Sequence, residues 1–514
     1  MRLQTVAAAV VLTLALAGCA TSGGLHPNGA LTDVSSLKAD RSLANVQVSE
    51  AAWPKQDWWS GLGDPQLSAL ITEALRDNPS LAVADARARQ AQAAAGATDA
   101  ARKPTVNLGG SIGEAFIPKS VPVFGTGHVG ALKYANASFK WNLDLWGGQR
   151  DAWEATLGQQ RAAEVDAQAA RIELSTNVAR AYVQLGYAYT QQDVAKAELK
   201  RASEARDLTR QRVAAGIDNQ MQLKQSDSEV ASAEGQKAQT DRAVDAARTA
   251  LSVLLGKGPD RGLDIARPQL LPPAALTVPG NVSVDLVGHR ADLVAARWRV
   301  EAAGKDIKSA KTDFLPNVNI GAMAGLINFG GANLFTLKNR FYEVAPAISL
   351  PIFDGGRRRA NLNSKDANYD LAVAQYNKTL VSAINEVADD YDAVASLQTQ
   401  IAAQQRALDA ANDAWTLSEQ RYKAGIGNYL EALSVRQQLL AAEQRMAALH
   451  AQQSDLNVQL IQALGGGYQP GECTDQSPAG ANESVCPQPF GPSARQTASL
   501  PSPPTLGSAN RQSR

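Results

Sequence analysis

The chain repeats its own sequence at a spacing of about 210 residues. The stretch RKPTVNLGGSIG at 102–113 returns as FLPNVNIGAMAG at 314–325, and RQRVAAGIDN at 210–219 returns as EQRYKAGIGN at 419–428. A repeat of this length is too long for one unit of a solenoid, so each copy must be a whole structural module. The sequence therefore predicts two tandem modules of the same architecture.

Each module begins with a helical segment and then changes to a period of two. Within 134–146, Ala, Phe, Trp and Leu side chains alternate with Asn, Ser, Lys and Asp side chains, which predicts a strand with one apolar and one polar face. The predicted strands are 104–114, 134–146, 316–326 and 341–352. A half-buried sheet of a soluble protein has the same period and is the alternative interpretation.

Each second strand ends in a pair of glycines, after which the pattern becomes helical. The pairs are Gly147-Gly148 in LDLWGG and Gly355-Gly356 in LPIFDGG. We predict that these four glycines form the hinges between strand and helix, because glycine adopts the backbone angles that such a kink needs. The helical patterns that follow run for about 65 residues, or about 100 Å, before a return helix. Their small and apolar positions indicate coiled-coil packing.

The N-terminus has the form of a bacterial lipoprotein signal. Met1 and Arg2 precede an apolar run that is too short to cross a bilayer as a helix, and this run ends in Leu-Ala-Gly-Cys at 16–19. In such a motif the thiol of Cys19 is lipidated and the cysteine becomes the new N-terminus. An ordinary signal peptide with a chance cysteine is the alternative. We expect a covalent lipid on Cys19, which anchors the chain to a membrane, and no other cofactor.

A further membrane span would have to be a β-barrel. No other segment reaches about 18 uninterrupted apolar residues, and only a barrel otherwise satisfies its backbone in lipid. Four strands cannot close a barrel, since the smallest membrane barrels have about eight, so several copies must share one. The predicted fold is mainly α with a membrane β-barrel portion. Three copies with four strands each would give a shared 12-stranded barrel, joined to the long coiled-coil helices of the two tandem repeats; the trimeric channel-tunnel with an α-barrel is what the family resemblance given below implies.

Two further cysteines, Cys473 and Cys486, lie near the C-terminus. An exported chain meets oxidising conditions, so we expect a disulfide between them, with two free thiols as the alternative. The surrounding segment is rich in Pro, Ser, Gly and Gln, which predicts a disordered tail. The predicted organisation is 1–18 signal peptide, 19–63 lipidated N-terminal segment, 64–258 first repeat, 259–283 linker, 284–467 second repeat and 468–514 tail.

Charge and motifs point away from catalysis and from nucleic acid. The formal net charge is +0, which gives no electrostatic reason to expect a nucleic-acid partner. The four histidines are scattered, and no Gly-rich phosphate loop precedes a Lys-Ser or Lys-Thr pair. Met221, Met323 and Met446 are dispersed, whereas exporters of soft metals need clustered sulfur ligands. We therefore expect neither an enzyme nor a metal centre.

Six stretches of the sequence resemble the TolC-type outer-membrane efflux factors, in their NodT/OprM-like lipoprotein branch. They are the Cys19 lipobox, WWSGLGDPQLSALI (58–71), LDLWGG (143–148), LPIFDGGRRRANL (350–362), RYKAGIGNYLEAL (421–433) and LGGGYQ (464–469). The resemblance covers roughly residues 19–470 and implies a homotrimeric channel that crosses the outer membrane and extends into the periplasm. It implies two partners, a periplasmic adaptor (membrane fusion) protein and an inner-membrane pump of the RND or MFS type.

The resemblance also implies a constricted periplasmic end. Glu431 takes the position of one carboxylate of an acidic ring, Ser434 stands where some relatives have a second acid, and Gln222 holds the equivalent place in the first repeat. The alternative for Glu431 is an ordinary solvated helix residue. Contacts with the adaptor would be made by the turn residues Gly216, Ile217, Gly425 and Ile426.

The function that we expect is export of drugs or toxic organic compounds from the periplasm or cytoplasm to the exterior. Two other functions use the same fold, namely a duct for protein secretion with an ATP-driven partner and the efflux of metal cations. A structural coiled-coil lipoprotein without a pore is the alternative of a different class.

Overall fold

The computed structural model describes residues 22–37, 48–49, 53–116, 118–120, 127, 129–269, 278–279, 282–329 and 333–469. The described residues belong to one compact unit, which ends at Gln469. The expectations for the signal peptide, for Cys19 and for the Cys473–Cys486 disulfide fall outside the described residues. The same holds for the predicted tail beyond Gln469.

The two copies share one order of elements. The first contains α1 (Pro65–Asp77), α2 (Pro79–Ala101), β1 (Thr105–Phe116), β2 (Val129–Leu143), α3 (Gly148–Ala214) and α4 (Gln220–Leu254). A short helix, α5 (Asp260–Leu263), follows it. The second contains α6 (Val282–His289), α7 (Ala291–Thr312), β3 (Asn317–Phe329), β4 (Arg340–Ser349), α8 (Arg357–Lys423) and α9 (Tyr429–Ala463). Two helices, two strands, a long helix and a return helix therefore recur in each copy.

Local chemistry sets the ends of the lead helices. The Asp64 carboxylate accepts hydrogen bonds from the backbone N–H groups of Gln66 and Leu67, at 2.8 and 3.0 Å, and so caps α1. The Asn78 side chain caps α2 in the same way, through the N–H of Ser80. Pro79 follows directly, and proline favours a helix start because it has no N–H to leave unpaired.

The strands differ from the predicted spans at their ends. β2 begins at Val129 and stops at Leu143, whereas we expected 134–146. It stops early because a turn follows, closed by the Leu145 N–H bond to the Leu143 carbonyl at 2.9 Å. β4 ends at Ser349, ahead of Pro351, which cannot donate a ladder hydrogen bond. β1 and β3 also extend beyond the expected limits, to Phe116 and Phe329.

The sheet joins the two copies. Its strand order is β1-β2-β3-β4, every neighbouring pair is antiparallel, and the central β2–β3 pair links the first copy to the second. At this pair Gly325 lies opposite Asn136, and a Cβ on Gly325 would overlap the Ala135 carbonyl oxygen. β1 and β4 form the two edges of the sheet.

The long helices pack through small residues. α3 and α8 each have 67 residues, which corresponds to about 100 Å. α3 packs against α2, α4, α7 and α9, so it contacts both copies. Five of its seven buried alanines fall into two series with a seven-residue spacing, as expected for coiled-coil packing. They are Ala155 and Ala162 in one series and Ala188, Ala195 and Ala202 in the other.

Larger side chains fill the packed middle of the helical region. Tyr182 of α3 is 1% exposed, and its hydroxyl donates to the Asp64 carboxylate that caps α1, at 2.7 Å. In the second copy Tyr376 of α8 is equally buried, within a cluster that includes Leu293 and Leu380. Burying an apolar side chain such as that of Leu293 or Leu380 stabilises the fold by about 1.5–3 kcal/mol. Among the described helices, none is both long and apolar enough to cross a membrane.

Candidate functional site

The sheet has one apolar and one polar face. Residues paired across antiparallel strands point to the same side, so the register sorts the side chains. Leu108 lies opposite Ala137, which lies opposite Ala324, and this face carries large side chains that are 69–87% exposed. They are Val106, Leu108, Ile112, Tyr342, Val344 and Ile348. A soluble protein rarely leaves such a patch uncovered, so the face is built to contact an apolar medium or partner.

The other face of the sheet carries mostly small and polar residues. Its members include Asn107, Asn136, Ser138, Asn142, Asn319 and Ser349. An apolar face opposite a polar one is the pattern of a strand that lies between lipid and an aqueous lumen. Two tryptophans stand near one end of the sheet, as is typical of a membrane–water interface. The indole N–H of Trp141 donates to the Arg102 carbonyl at 3.3 Å, and that of Trp146 to the Pro316 carbonyl at 2.7 Å.

The first hinge is closed by an aspartate cap and a close helix contact. The Asp144 carboxylate accepts from the backbone N–H groups of Gln149 and Arg150, at 3.1 and 2.8 Å. Gly147 has a φ of 76°, which residues with a side chain rarely adopt. Gly148 is needed for space, because a Cβ there would overlap the Thr312 hydroxyl.

The second hinge repeats the cap with a different use of glycine. The Asp354 carboxylate accepts from the N–H groups of Gly356 and Arg358, at 3.1 and 3.2 Å, and pairs with the Arg358 guanidinium at 3.1 Å. Gly355 and Gly356 have φ values of 66° and 87°, with open space where their Cβ atoms would stand. All four predicted hinge glycines therefore lie at the change from strand to helix.

The far ends of the long helices form two exposed turns, which we call the tip. Gly216 and Gly425 have φ values of 72° and 75°. In both turns the next isoleucine closes a 6→1 bond, from Ile217 to the Arg212 carbonyl at 2.9 Å and from Ile426 to the Arg421 carbonyl at 3.0 Å. Ile217 is 64% exposed and Ile426 is 75% exposed. The four residues predicted to contact an adaptor thus present apolar surface at the tip.

The predicted aperture residues lie on two helices. Glu431 and Ser434 are exposed on the first turns of α9. The positive end of the helix dipole at this N-terminus stabilises the Glu431 carboxylate. Gln222 lies on α4, and its side-chain oxygen accepts the Asn219 N–H at 2.8 Å in a capping box. Gln222 therefore has a structural role at the helix start. The Asn219-x-x-Gln222 spacing is the sequence signal that could have shown this role.

Sequence reasoning missed a link between the two turns of the tip. The Arg212 guanidinium pairs with the Asp218 carboxylate at 2.8 Å. The Tyr422 hydroxyl donates to the same carboxylate at 3.2 Å, and the Arg212 guanidinium lies 4.8 Å from the centre of the Tyr422 ring. Burial raises the pKa of Tyr422, so the hydroxyl stays protonated and able to donate.

Sequence reasoning also missed a buried charge cluster between α3 and α9. The Arg436 side chain is 6% exposed, and its guanidinium contacts the Glu198 carboxylate at 2.7 Å and the Glu443 carboxylate at 3.3 Å. The Trp415 ring lies 5.8 Å from the guanidinium. Burial raises the pKa of Glu198 and of Glu443, while the Arg201 charge opposes the rise. The cluster links the first copy to the second between Tyr182 and the tip.

No group of three or more His, Cys, Asp and Glu side chains in the described part of the chain could hold a metal ion. Met221 is exposed on α4, Met446 is buried on α9, and Met323 lies against the Tyr134 hydroxyl in the sheet. These methionines lie on three different elements and form no common sulfur site.

The comparison with protein families resolves what this arrangement is. The model of the family described as outer membrane efflux protein matches residues 70–257 and 282–466, one match to each copy. The chain belongs to this family. It is an outer-membrane efflux channel of the TolC type, and its family is one of channel proteins rather than of enzymes.

Individual relatives of this efflux protein agree. The fusaric acid resistance protein FusA of Burkholderia cepacia is 35% identical over 368 residues, which is 70% of this chain and 69% of FusA. The multidrug resistance outer membrane protein MdtP of Escherichia coli K12 is 28% identical over 443 residues, 84% of this chain and 90% of MdtP. The crystal structure of the outer membrane protein VceC of Vibrio cholerae has a TM-score of 0.76 at 34% identity and covers 81% of this chain and 100% of VceC.

These findings confirm the predicted family, the channel fold with two tandem repeats and the outer-membrane location. The apolar face of the sheet therefore has a physical role, since it is the surface that a protein in a membrane exposes to lipid.

Proposed function

We propose that the chain forms a homotrimeric duct that exports drugs or toxic organic compounds across the outer membrane. The observation that carries the proposal is the four-stranded sheet, which has an exposed apolar face and two edge strands, β1 and β4. Unpaired backbone at a sheet edge is too costly in lipid, so the edges must pair with other copies. Three copies would close a barrel of 12 strands, within the size range of outer-membrane barrels.

The proposed substrate class follows from the relatives and from the polar face of the sheet. MdtP is named for multidrug resistance, FusA for resistance to fusaric acid and TtgF of Pseudomonas putida for toluene efflux. The small and polar face would line a water-filled lumen, which leaves the choice of substrate to the pump. Metal-cation efflux gains no support from the three separated methionines.

We propose that the tip binds a periplasmic adaptor, which connects the duct to an inner-membrane pump of the RND or MFS type. The exposed apolar residues of the two turns, Ile217 and Ile426, would be the contact surface. Exposed apolar patches of this kind mark sites of protein association. Substituting either isoleucine by a bulky charged residue should then reduce export.

Cross-linking in living cells tests this docking directly. Met221→Cys places a thiol beside the tip on a side chain that is 62% exposed, and Val253→Cys, 66% exposed at the other end of α4, is the matched control. We expect Met221→Cys alone to trap an adaptor together with a proton-driven pump. An ATP-driven transporter in the trapped complex would favour a protein secretion duct instead. Equal trapping at both positions, or none, would refute docking at the tip.

A lipid on Cys19 remains part of the proposal. Its thiol would carry acyl chains that anchor the N-terminus in the outer membrane. Mass spectrometry of the N-terminal peptide should show an acylated Cys19 and no residues before it. A peptide that begins elsewhere, with a free thiol at Cys19, would remove this part of the proposal.

We further propose that three symmetry-related Glu431 side chains form a cation-binding ring in the duct. Rings of carboxylates attract cations at close range. Glu431→Ala should weaken block of the pore by multivalent cations in a planar bilayer, whereas Ser434→Asp, one helical turn away, should strengthen it. Block that is unchanged in both variants would show that Glu431 is an ordinary solvated residue.

A further inference from the structure

An N-terminal strap, residues 22–33, lies along α8. The backbone N–H groups of Asn28 and Gly29 donate to the Asp370 carboxylate at 2.8 and 2.6 Å. The Thr32 N–H donates to the Asn377 side-chain oxygen at 2.8 Å, and the Asn377 side-chain nitrogen donates to the Ala30 carbonyl at 2.9 Å. Two α8 side chains thus hold the strap through its backbone, whatever side chains the strap carries.

The upper end of the strap reaches the first turn of α8. The Arg359 guanidinium donates to the Gly23 carbonyl at 3.4 Å, and Leu25 packs against a cluster that contains Ile307 and Leu362. From Gly23 to Thr32 the strap follows α8 from Arg359 to Asn377, which is about 27 Å of helix. Nine residues span at most about 30 Å, and Gly24 lies in a turn closed by the Leu25 N–H bond to the Ser22 carbonyl at 3.3 Å, so this part of the strap has little slack.

An apolar rim lies directly before the first turn of α8. It consists of Leu350, Ile352 and Phe353, which are 48%, 51% and 85% exposed. The rim continues the apolar face of β4, whose last member is Ile348. The next residue, Asp354, caps α8 and pairs with Arg358 in the same turn that holds Gly23. The rim and the upper end of the strap therefore lie at the same level of the molecule.

The reach of the chain connects the rim with the predicted anchor. Cys19 stands four residues before Gly23, and four extended residues span at most about 14 Å. The thiol can therefore reach the rim but not the outer half of the sheet. We propose that the rim is the seat of the acyl chains on Cys19, and that the strap fixes their depth relative to the sheet. This inference rests on the lipidation of Cys19 proposed above.

The chemistry of the site fits an acyl chain. Three large apolar side chains stand uncovered at the end of a sheet whose apolar face contacts lipid, so acyl chains on the rim would continue that contact. Arg357 is exposed in the adjoining turn, where a cation can meet anionic lipid headgroups. Asp370 and Asn377, which lie lower on α8, would act as positioning residues, because they hold the strap and do not touch the lipid.

Photo-cross-linking tests the seat in the full-length, lipidated protein. The photoreactive amino acid p-benzoyl-phenylalanine replaces Phe353, and in a control it replaces Ile112, which is 79% exposed on the same face, seven residues along β1 from Thr105. We expect the probe at 353 to link to the acylated N-terminal peptide of the chain. The probe at 112 should link to membrane phospholipid alone.

The double variant Asp370→Ala/Asn377→Ala tests whether the strap positions the acyl chains, independently of whether Cys19 is acylated. Freeing the strap lowers the effective concentration of the acyl chains at the rim, so the cross-link at 353 should fall at least about fivefold while acylation of Cys19 is unchanged. Phospholipid or a second copy of the chain as the main product at 353 would overturn the seat. An unacylated Cys19 in the mass spectrum would instead refute the lipidation on which it rests, and that result is read independently of the cross-link.

Discussion

The two copies end in the same way in sequence but not in their surroundings. α4 ends in Leu-Gly-Lys-Gly, where Gly256 has a φ of 69° and a Cβ would stand 2.8 Å from the Pro79 ring. α9 ends in three glycines, 465–467, which all have positive φ. A Cβ on these glycines would overlap, in order, the His289 carbonyl, the Ile172 side chain and the Lys55 carbonyl. The end of α9 is thus the place where α3, α6 and the N-terminal segment meet.

The two copies therefore share backbone conformations at equivalent positions, but their side chains make different contacts there. Both hinges keep an aspartate cap and a left-handed glycine, yet Gly148 makes room for Thr312 while Gly355 faces open space. The caps recur because each helix start must satisfy its own N–H groups. The contacts differ because Gly256 packs against Asn78 and Pro79 of its own copy, whereas the glycines at 465–467 pack against α3, α6 and Lys55.

The largest expected effect comes from the three-glycine turn. Gly465→Ala adds a left-handed strain and a backbone overlap with His289, so it should lower the free energy of unfolding by roughly 3–5 kcal/mol. Gly258→Ala, at the end of the first copy, meets open space and should change it by less than about 0.5 kcal/mol. Thermal unfolding followed by circular dichroism measures both. Similar losses of unfolding free energy in the two variants would contradict the proposed difference between the helix ends.

The buried link between the copies should rank next. Arg436→Ala leaves the Glu198 carboxylate without this guanidinium in a packed site, at a cost of about 3 kcal/mol. Arg180→Ala removes a second α3–α9 ion pair, with Asp455, but Arg180 is 41% exposed and its loss should cost at most about 1 kcal/mol. A double-mutant cycle with Glu198→Ala gives the coupling, and a coupling near zero would refute the link.

The two hinges should respond differently to the same substitution. Gly148→Ala should cost about 2–3 kcal/mol through its overlap with Thr312, and Thr312→Ala in the same chain should recover part of the loss. Gly355→Ala carries only the left-handed strain, about 1 kcal/mol, and Thr312→Ala should not relieve it. Unfolding curves of the four variants decide between packing and backbone strain at each hinge.

The smallest expected effect on stability depends on pH. It comes from a buried carboxylate that α8 contains and α3 lacks. Asp390 is 9% exposed, and burial, followed by repulsion from Glu386 and Asp389, raises its pKa to about 6 against the attraction of Arg180 and Arg290. The position equivalent to Asp390 in α3, counted from the first residue of each helix, is Ala181.

The sign of the pH effect follows from that raised pKa. The native state holds the Asp390 proton more tightly than the unfolded chain, so the stability from this group is present below about pH 4 and is lost as the pH rises through about 6. Asp390→Asn should therefore gain stability relative to the parent protein between pH 5 and pH 7. A difference in midpoint temperature that is constant across this range would contradict the raised pKa.

Local patterns in the sequence predicted much of the architecture. The two-residue period around Ser138 predicted the two-faced sheet, and the glycine pairs predicted the hinges, because both signals depend on neighbouring residues. The strap along α8 and the Arg436 cluster escaped prediction, because they join residues that are hundreds of positions apart. Gln222 was assigned to the aperture by resemblance, which stays a prediction, and its spacing from Asn219 also indicated the capping box that the structure contains.

The most direct test of the central claim, that copies of this chain close a water-filled duct, is single-channel recording of the purified protein in a planar lipid bilayer. The account predicts discrete conductance steps, reduced by multivalent cations in the parent protein and less so in Glu431→Ala. A folded protein that inserts into the bilayer and never conducts would contradict it, and would favour a structural lipoprotein without a pore.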